Sequence, residues 1–364
     1  MVGLDSHSLP FEPAMLDTRP VRVSVDCMGA DFPPAMAVES SQIALRLDAN
    51  LSIALFGRAE PLSSALNSVD VEIADRLELV SADDWIEMDS NPAQALRRGA
   101  NSSMALALDS LRLPVPTQST ESSKQPSISA MVSAGNTGAL MALSRSRLGM
   151  MPGIERPALM TAFPVLNGRC WVLDLGANIG VDAERLFEFA LLGSAAVSVL
   201  SGRTPRVGLL NIGAEPNKGP DVVRQAARRL EQSALDYIGF VEGHAVFAGE
   251  ADVVVCDGFA GNILLKSAEG TIRMLFEEFE RWQQQRWTRR WAGRGLAAMR
   301  TRFNPSTHNG ASLLGINGIV VKSHAHADAD ALARAIALAA LEVRRDMLPE
   351  LERQLWAGSG LGES

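Results

Sequence analysis

Residues 207–241, VGLLNIGAEPNKGPDVVRQAARRLEQSALDYIGFV, contain the pattern that decides the fold class. An apolar run over residues 207–212 is followed by a segment with helical spacing over residues 221–235, and a second apolar run covers residues 237–241. Parallel strands need a long crossover between them, and a helix of this length supplies one. The segment therefore predicts two parallel strands joined by a helix.

The same alternation recurs along most of the chain. Further short apolar runs, each expected to form a strand, cover residues 21–26, 51–56, 71–80, 128–133, 170–175, 253–256 and 319–321. Most of them are separated by segments with helical periodicity, such as residues 328–345. Apolar strands that alternate with amphipathic helices indicate a mostly parallel sheet covered on both faces. The predicted fold class is α/β.

Composition and charge exclude several classes of protein. The 364 residues carry 34 Lys and Arg against 42 Asp and Glu, a net charge of −8, whereas nucleic-acid binders present basic surfaces. No apolar run approaches the roughly 18 residues of a membrane span, and the first residues lack the pattern of a secretory signal. Three scattered cysteines without a C-x-x-C pair fit a reducing compartment. We expect a soluble, cytoplasmic protein without a nucleic-acid partner.

Shifts in composition predict the domain organisation. We expect an irregular extension over residues 1–20, one large α/β domain over residues 21–356 and a disordered tail over residues 357–364. Residues 113–127, LPVPTQSTESSKQPS, contain too little apolar surface to order themselves, which predicts a mobile surface loop.

Polar, glycine-rich segments follow most of the expected strands. They are DCMGADFPP at 26–34, SAGNTGALMA at 133–142, DLGAN at 174–178, NIGAEPNKG at 211–219, CDGFAGNILLK at 256–266 and GASLLGINGIVVKSH at 310–324. Ligands of open parallel sheets bind beyond the carboxyl ends of the strands, so we expect these segments to meet at one edge. Glycines let backbone N–H groups approach an anion, and helix N-termini add positive potential. The predicted ligand is phosphate-bearing or otherwise anionic.

Standard catalytic and cofactor motifs do not occur in the chain. The sequence contains no G-x-G-x-x-G dinucleotide fingerprint, no P-loop, no G-x-S-x-G elbow and no H-E-x-x-H zinc motif. His324 and His326 are two residues apart, but no cysteine or carboxylate cluster completes a metal set, so we do not expect a zinc site. We therefore expect neither a metal nor another cofactor.

The segments VSAGNTGALMAL, GIERPAL, DLGAN, PRVGLLNIGAEPNKG, GEADVVVCDGFAGNILLKSAEG and GASLLGINGIVVKSH closely resemble the PlsX-type phosphate acyltransferases, the acyl-carrier-protein:phosphate acyltransferases. The resemblance covers about residues 21–340. It implies a three-layer α/β fold related to isocitrate and isopropylmalate dehydrogenases, and a homodimer that associates reversibly with membranes. It also implies transfer of a long-chain acyl group from acyl carrier protein to inorganic phosphate, which supplies acyl phosphate to a glycerol-3-phosphate acyltransferase for phospholipid synthesis.

The resemblance assigns roles to particular residues. It implies that Lys218 neutralises charge on phosphate or on the oxyanion and that Asn262, at the start of a helix over residues 263–268, orients substrate or donates to the oxyanion. Further phosphate- or thioester-binding residues that it suggests are Asn136, Asn178, Asp257, Lys322 and His324. Four of these residues also have a structural interpretation: Lys218 as a solvated turn lysine, Asn262 and Asp257 as helix caps, and His324 as a hydrogen-bonded histidine at a strand end.

Residues 281–302, RWQQQRWTRRWAGRGLAAMRTR, carry seven arginines and no acidic residue. We predict a helical segment in which Arg286, Trp287, Arg290 and Trp291 contact an anionic membrane or the acidic acyl carrier protein. A helix pair packed at a dimer interface is the alternative interpretation of the same pattern.

The chain departs from the family pattern at four places, one of which is the basic run at Arg97 and Arg98 that Gly99 and Ala100 cut short. Ala30 replaces a glycine, Gly180 and Val181 replace an acidic residue and a cysteine, and Ala325 replaces the glycine after Ser323 and His324. Two other functions therefore stay open at this stage: a phosphotransacylase that uses coenzyme A, and a catalytically silent phosphate- or acyl-binding regulator.

Overall fold

The computed structural model describes residues 18–111, 126–284, 303 and 309–359. Within these residues one sheet contains all eleven strands. The strands are β1 (Val21–Asp26), β2 (Leu51–Gly57), β3 (Leu77–Ser81), β4 (Ile128–Ser133), β5 (Ala158–Val165), β6 (Gly168–Leu173), β7 (Val207–Leu210), β8 (Tyr237–Val241), β9 (Val253–Val255), β10 (Ala311–Leu314) and β11 (Ile319–Lys322).

Helices connect most of these strands and cover the sheet. In the described part of the chain they are α1 (Pro34–Leu47), α2 (Ala59–Leu66), α3 (Val71–Ala74), α4 (Pro92–Arg98), α5 (Ser103–Asp109), α6 (Thr137–Leu148), α7 (Ala183–Ser201), α8 (Asp221–Glu231), α9 (Gly243–Ala248), α10 (Gly258–Gln284), α11 (Ala329–Arg344) and α12 (Met347–Ser359). The predicted α/β class with a large, mostly parallel sheet is confirmed.

Each face of the sheet has its own hydrophobic core, and β1 shows how the sequence divides between them. Val21, Val23 and Val25 point into the core beneath α1, α7 and α11. Arg22, Ser24 and Asp26 are also buried but point to the other face. Because side chains alternate along a strand, one six-residue run supplies an apolar face and a polar face. The polar face leads to the candidate site.

The sheet consists of two parallel halves that run in opposite directions. The strand order is β3-β2-β1-β4-β11-β10-β5-β6-β9-β7-β8. The β10–β11, β10–β5 and β5–β6 pairs are antiparallel, and the other pairs are parallel. The expectation that the segments following the strands meet at one edge of the sheet is therefore wrong. The two central hairpins reverse the chain, so β1, β4 and β11 point against β6, β9 and β7.

The register nevertheless brings the carboxyl ends of the two halves to the same level. Lys322, the last residue of β11, lies opposite Ala311 of β10. Through the β10–β5 and β5–β6 pairs, the level of Lys322 corresponds to Thr161 of β5 and to Val172 of β6. β6 ends one residue after Val172. Loops that follow strands of both halves can therefore meet near the centre of the sheet.

The strand predictions are corrected at three places. Residues 71–80 do not form one strand, because Val71–Ala74 is a short helix and only Leu77–Ser81 is a strand. β5 was not predicted, and neither was β10, which forms a hairpin with β11 where the sequence predicted a single strand over residues 319–321. Gly315, with φ of +89°, lies in the turn between them, where the apolar and glycine residues resemble a continuous strand.

Several predicted segments lie wholly or largely outside the described residues. They are the extension over residues 1–20, the loop over residues 113–127, the basic segment over residues 281–302 and the tail over residues 357–364. Among the described helices, none combines the length and apolar character required to cross a bilayer.

Candidate functional site

A polar cavity of about 780 Å³ lies where the two halves of the sheet meet. The first half contributes the end of β11 and the loop from Lys322 to Ala327, together with Thr137 at the start of α6. Leu159 and Thr161 of β5 lie between the halves, and Leu175 after β6 belongs to the second half. One face of α10 closes the cavity from above.

Lys322 is the most deeply buried cation of this cavity, at 9% exposure. Its Nζ donates hydrogen bonds to the carbonyl oxygens of Ala134, at 3.2 Å, and Ser323. An ammonium group has three N–H donors, so one remains for a ligand. Burial lowers the pKa of Lys322 to about 8, and the charge of Lys266 acts in the same direction, whereas Asp26 and Asp31 oppose the change.

Asp26 provides the buried negative charge near Lys322. Its two carboxylate oxygens accept hydrogen bonds from Ser103 Oγ, at 2.6 Å, and Ser133 Oγ, at 2.8 Å. Burial raises the pKa of Asp26 to about 6, although these bonds and the charge of Lys322 favour the ionised form. Asp26, Ser133 and Lys322 end three adjacent strands, so their grouping follows from the register of β1, β4 and β11.

The face of α10 that lines the cavity carries Asn262, Lys266 and Glu269 at intervals of four and three residues. This spacing places the three side chains on one side of a helix. Lys266 Nζ lies 2.9 Å from one oxygen of Glu269, and His324 Nε2 lies 3.3 Å from the other. Burial lowers the pKa of His324, Lys266 and Lys322 add to the decrease, and Glu269 opposes it. His324 is therefore predominantly neutral at neutral pH.

Asn262, Lys322 and His324 are thus the sequence-predicted residues that share this cavity. Asn262 does not open its helix, as the sequence analysis expected, because α10 already begins at Gly258. The side chain of Asn262 lies in the first turns of α10, beside Gly176 of the loop after β6. Gly176 has φ of +105°, a backbone conformation that favours glycine, and a Cβ there would make ordinary van der Waals contact with Asn262, at 3.4 Å from its Cβ.

Three predicted binding residues use their side chains to hold loops and helix ends. Asn136 accepts a bond from Ala139 N at the start of α6, and its amide donates to Met88 O and Ser90 O. Asn178 donates to Pro157 O and to Asp174. Asp257 accepts bonds from the backbone of Gly180, Val181 and Phe259. The contacts of Asp257 match its interpretation as a helix cap, and substrate contact by these three residues stays a prediction.

Lys218 does not line the polar cavity. It lies on the exposed turn after β7, at the same edge as the loop after β6, and β9 separates the two strands. Neighbouring strands are about 4.8 Å apart, so roughly 10 Å of sheet separates β7 from β6. The structure places Lys218 and Asn262 on one edge without bringing them into one cavity, and a catalytic role for Lys218 stays a prediction.

Two cavity residues were missed by the sequence analysis. Lys266 ends the segment CDGFAGNILLK and Glu269 lies three residues later, but neither was predicted to bind substrate. The signal was the helical spacing from Asn262, which points both side chains to the same face. The other predicted contacts, Arg286, Trp287, Arg290 and Trp291, lie outside the described residues.

The substitution at Ala30 does not strain the turn after β1. Among the described residues Asp346 is the only non-glycine residue with positive φ, whereas Gly29, the neighbour of Ala30, has φ of +69°. A Cβ at Gly29 would come within 2.1 Å of Ile86 O. The turn therefore requires glycine at position 29 and tolerates a side chain at position 30.

Comparison with solved structures supports the fold. A phosphotransacetylase from Streptococcus pyogenes aligns with a TM-score of 0.58 at 16% identity, covering 89% of this chain and 94% of that one. A 4-hydroxythreonine-4-phosphate dehydrogenase from Klebsiella pneumoniae aligns with a TM-score of 0.52 at 12% identity, covering 91% and 100% of the two chains. At these identities the likeness concerns the fold alone.

Curated relatives are much closer in sequence. A phosphate acyltransferase of Nitrosococcus oceani is 41% identical over 347 residues, covering 93% of this chain and 98% of the relative. A phosphate acyltransferase of Pseudomonas syringae pv. syringae is 43% identical over 338 residues, covering 92% and 96%. The family model described as fatty acid synthesis protein matches residues 21–349. The chain therefore belongs to this family, which is the PlsX family that its sequence motifs predicted.

Proposed function

We propose that this protein transfers a long-chain acyl group from acyl carrier protein to inorganic phosphate, yielding an acyl phosphate for glycerophospholipid synthesis. An oxygen of phosphate attacks the thioester carbonyl carbon, a C–O bond forms, the C–S bond breaks, and the electron pair leaves with the thiolate. Phosphate is already anionic at neutral pH, so the reaction needs positioning and charge stabilisation more than an activated side-chain nucleophile.

The pairing of Lys322 and Lys266 is the observation that carries this proposal. The chain contains only four lysines, and these two line the same cavity. The charge of Lys266 contributes to the lowered pKa of Lys322, so the two cations repel each other across the cavity. An anion bound between them relieves this repulsion. The space between the two lysines therefore favours a small anion such as phosphate, in a cavity whose lining also includes Arg273 and the carboxylates of Glu269, Glu277 and Glu280.

The other polar side chains of the cavity suit the second substrate. Asn262 presents an amide on the same helix face as Lys266, and its N–H groups can donate to the oxyanion that forms at the thioester carbonyl. His324, predominantly neutral, can donate one hydrogen bond and accept another beside it. Glu269 holds both Lys266 and His324, which fixes their positions relative to each other.

A trapping experiment tests the activity. The purified chain is incubated with palmitoyl-acyl carrier protein and inorganic phosphate, and acyl phosphate is captured with hydroxylamine as the hydroxamate. We expect product only when both substrates are present, and a large loss in Lys322→Met. Met274→Phe, a change on a face of α10 that lines neither of the two large cavities, is the control for altering this helix. No product above background, or product from acetyl-coenzyme A alone, would overturn the proposal.

The proposal extends to location and partners. The +7 charge of residues 281–302 supports reversible docking of a cytoplasmic homodimer on an anionic membrane, where the acyl phosphate would pass to a glycerol-3-phosphate acyltransferase. We also propose that residues 21–356 form a single α/β domain with a helical appendage. Its fold would be related to that of isocitrate and isopropylmalate dehydrogenases. Flotation with anionic liposomes tests the docking: Trp287→Ala with Trp291→Ala should reduce binding, and undiminished binding would contradict it.

A further inference from the structure

A second cavity, of about 680 Å³, lies on the other flank of α10, and we refer to it as the apolar groove. Its floor is the end of β5, where Phe163 and Val165 point to the same face of the sheet as Thr161. Phe247 of α9 forms one wall, with its ring centroid 6.0 Å from that of Phe163. The opposite wall is the apolar side of α10, which includes Leu264 and Leu275.

The apolar groove and the polar cavity share a wall. Thr161, Glu269 and His324 line both. β5 runs from Leu159, under the polar cavity, to Val165, under the groove. At about 3.3 Å per residue, the four-residue step from Thr161 to Val165 covers roughly 13 Å. A ligand with a charged head between Lys266 and Lys322 can therefore extend directly into the groove.

The groove is lined almost entirely by carbon. The hydroxyl of Thr271, on its α10 wall, already donates to Ser267 O at 2.8 Å. Large apolar side chains of the lining remain in contact with water: Leu166 is 67% exposed, Leu275 48% and Phe279 40%. Exposed apolar side chains grouped around a concavity indicate a binding surface and not a packed core.

We propose that the apolar groove holds the acyl chain of the thioester and of the acyl phosphate, and that the chain passes the shared wall of Thr161, Glu269 and His324 to reach the carbonyl group in the polar cavity. This inference rests on the proposed function and extends it to the part of the site that selects the substrate. A saturated acyl chain neither donates nor accepts hydrogen bonds, and few polar groups in the lining of the apolar groove need a hydrogen-bond partner. Ala268 and Thr271 lie on the α10 side of the groove, so the size of their side chains controls how much chain the groove admits.

Calorimetry with two inert phosphate analogues tests the groove apart from turnover. Methylphosphonate reaches only the polar cavity, whereas dodecylphosphonate, used below its micelle concentration, also places a chain in the groove. Burying one methylene increases affinity about fourfold, so the alkyl chain should tighten binding at least roughly 100-fold in the wild-type protein. Ala268→Phe fills the groove and should cut this advantage about tenfold or more. Thr271→Phe, at a more exposed position, should do the same if Ala268→Phe does not fold.

Met274→Phe is the matched control, because it adds an aromatic ring to a face of α10 that lines neither cavity. In Met274→Phe the alkyl chain should tighten binding by the same factor as in the wild type. The inference would be overturned if the alkyl chain tightened binding by the same factor in the wild type, in Ala268→Phe and in Thr271→Phe. The inference would also be overturned if Ala268→Phe and Thr271→Phe changed only the oligomeric state measured by sedimentation, because a second copy of the chain would then cover the groove. Failure of the proposed function is distinguishable, because it would leave phosphonate binding intact while no hydroxamate forms.

Discussion

Replacing Lys322 by methionine should remove phosphate binding while relieving a cost to stability. Burial lowers the pKa of Lys322 from an ordinary value of 10.5 to about 8. Each pKa unit corresponds to about 1.4 kcal/mol between the charged and neutral forms, so keeping this ammonium charged in the folded protein costs about 3 kcal/mol. Binding an anion in the polar cavity would offset this cost, because the anion favours the charged form of Lys322.

The dependence of stability on pH gives the sign of the effect. Between pH 8 and pH 10.5 the unfolded chain keeps the proton on Lys322 while the folded protein has released it. Stability rises with pH wherever the unfolded state binds more protons. The wild-type free energy of unfolding should therefore gain about 3 kcal/mol from this group across that range. Lys322→Met lacks the gain, so its stability relative to the wild type should fall by the same amount.

Urea unfolding at a series of pH values, followed by circular dichroism, measures this difference. The difference between the two stability curves contains no contribution from groups that titrate identically in both proteins. It also changes with pH independently of any constant cost of leaving the carbonyl oxygens of Ala134 and Ser323 without the Lys322 ammonium. Lys266→Met is the matched control for loss of a positive charge from the same cavity, at a side chain that is 57% exposed. Parallel stability curves for the wild type and Lys322→Met would refute the reasoning, since burial would then carry no cost for this ammonium.

Further predictions concern three other residues. Asn262→Ala should lower kcat roughly 100-fold or more, because an oxyanion donor is lost, and unchanged turnover in the hydroxamate assay would contradict this role. Asn136→Ala should reduce the free energy of unfolding by about 1–2 kcal/mol in urea, because one helix cap and two carbonyl partners are lost, with a smaller effect on kcat than Asn262→Ala. Burial raises the pKa of Glu342 to about 7 from an ordinary value of 4.5, so wild-type stability should fall as pH rises through this range. Glu342→Gln should therefore be about 3 kcal/mol more stable than the wild type at pH 8, and a less stable variant would contradict the reasoning.

The sequence predicts the fold class and most of the strands because apolar runs and helical spacing are local signals. Tyr237–Val241 and Ile128–Ser133 are correct to the residue. The reversal at β10 and β5 could not be predicted from such signals, since it depends on which strands pair. Without this reversal, β1, which ends at Asp26, and β9, which precedes Asn262, appear to run in the same direction, whereas in the structure they run in opposite directions.

The candidate site was predicted in part for the same reason. Lys322 and His324 follow a recognisable strand, so their place at a strand end is readable from the sequence. Lys266 and Glu269 lie inside a long helix, where charged residues are common on exposed faces and their distance from Lys322 depends on tertiary packing. The roles of Asn136, Asn178 and Asp257 show the converse, because polar residues at strand ends also serve to cap helices and hold loops.

A crystal structure with inorganic phosphate bound tests the central claim most directly. We expect the anion in the polar cavity, within hydrogen-bond distance of Lys322 Nζ and Lys266 Nζ and adjacent to the amide of Asn262. Phosphate bound on the turn of Lys218 instead, with the polar cavity holding only water, would contradict the claim that these two lysines form the phosphate site.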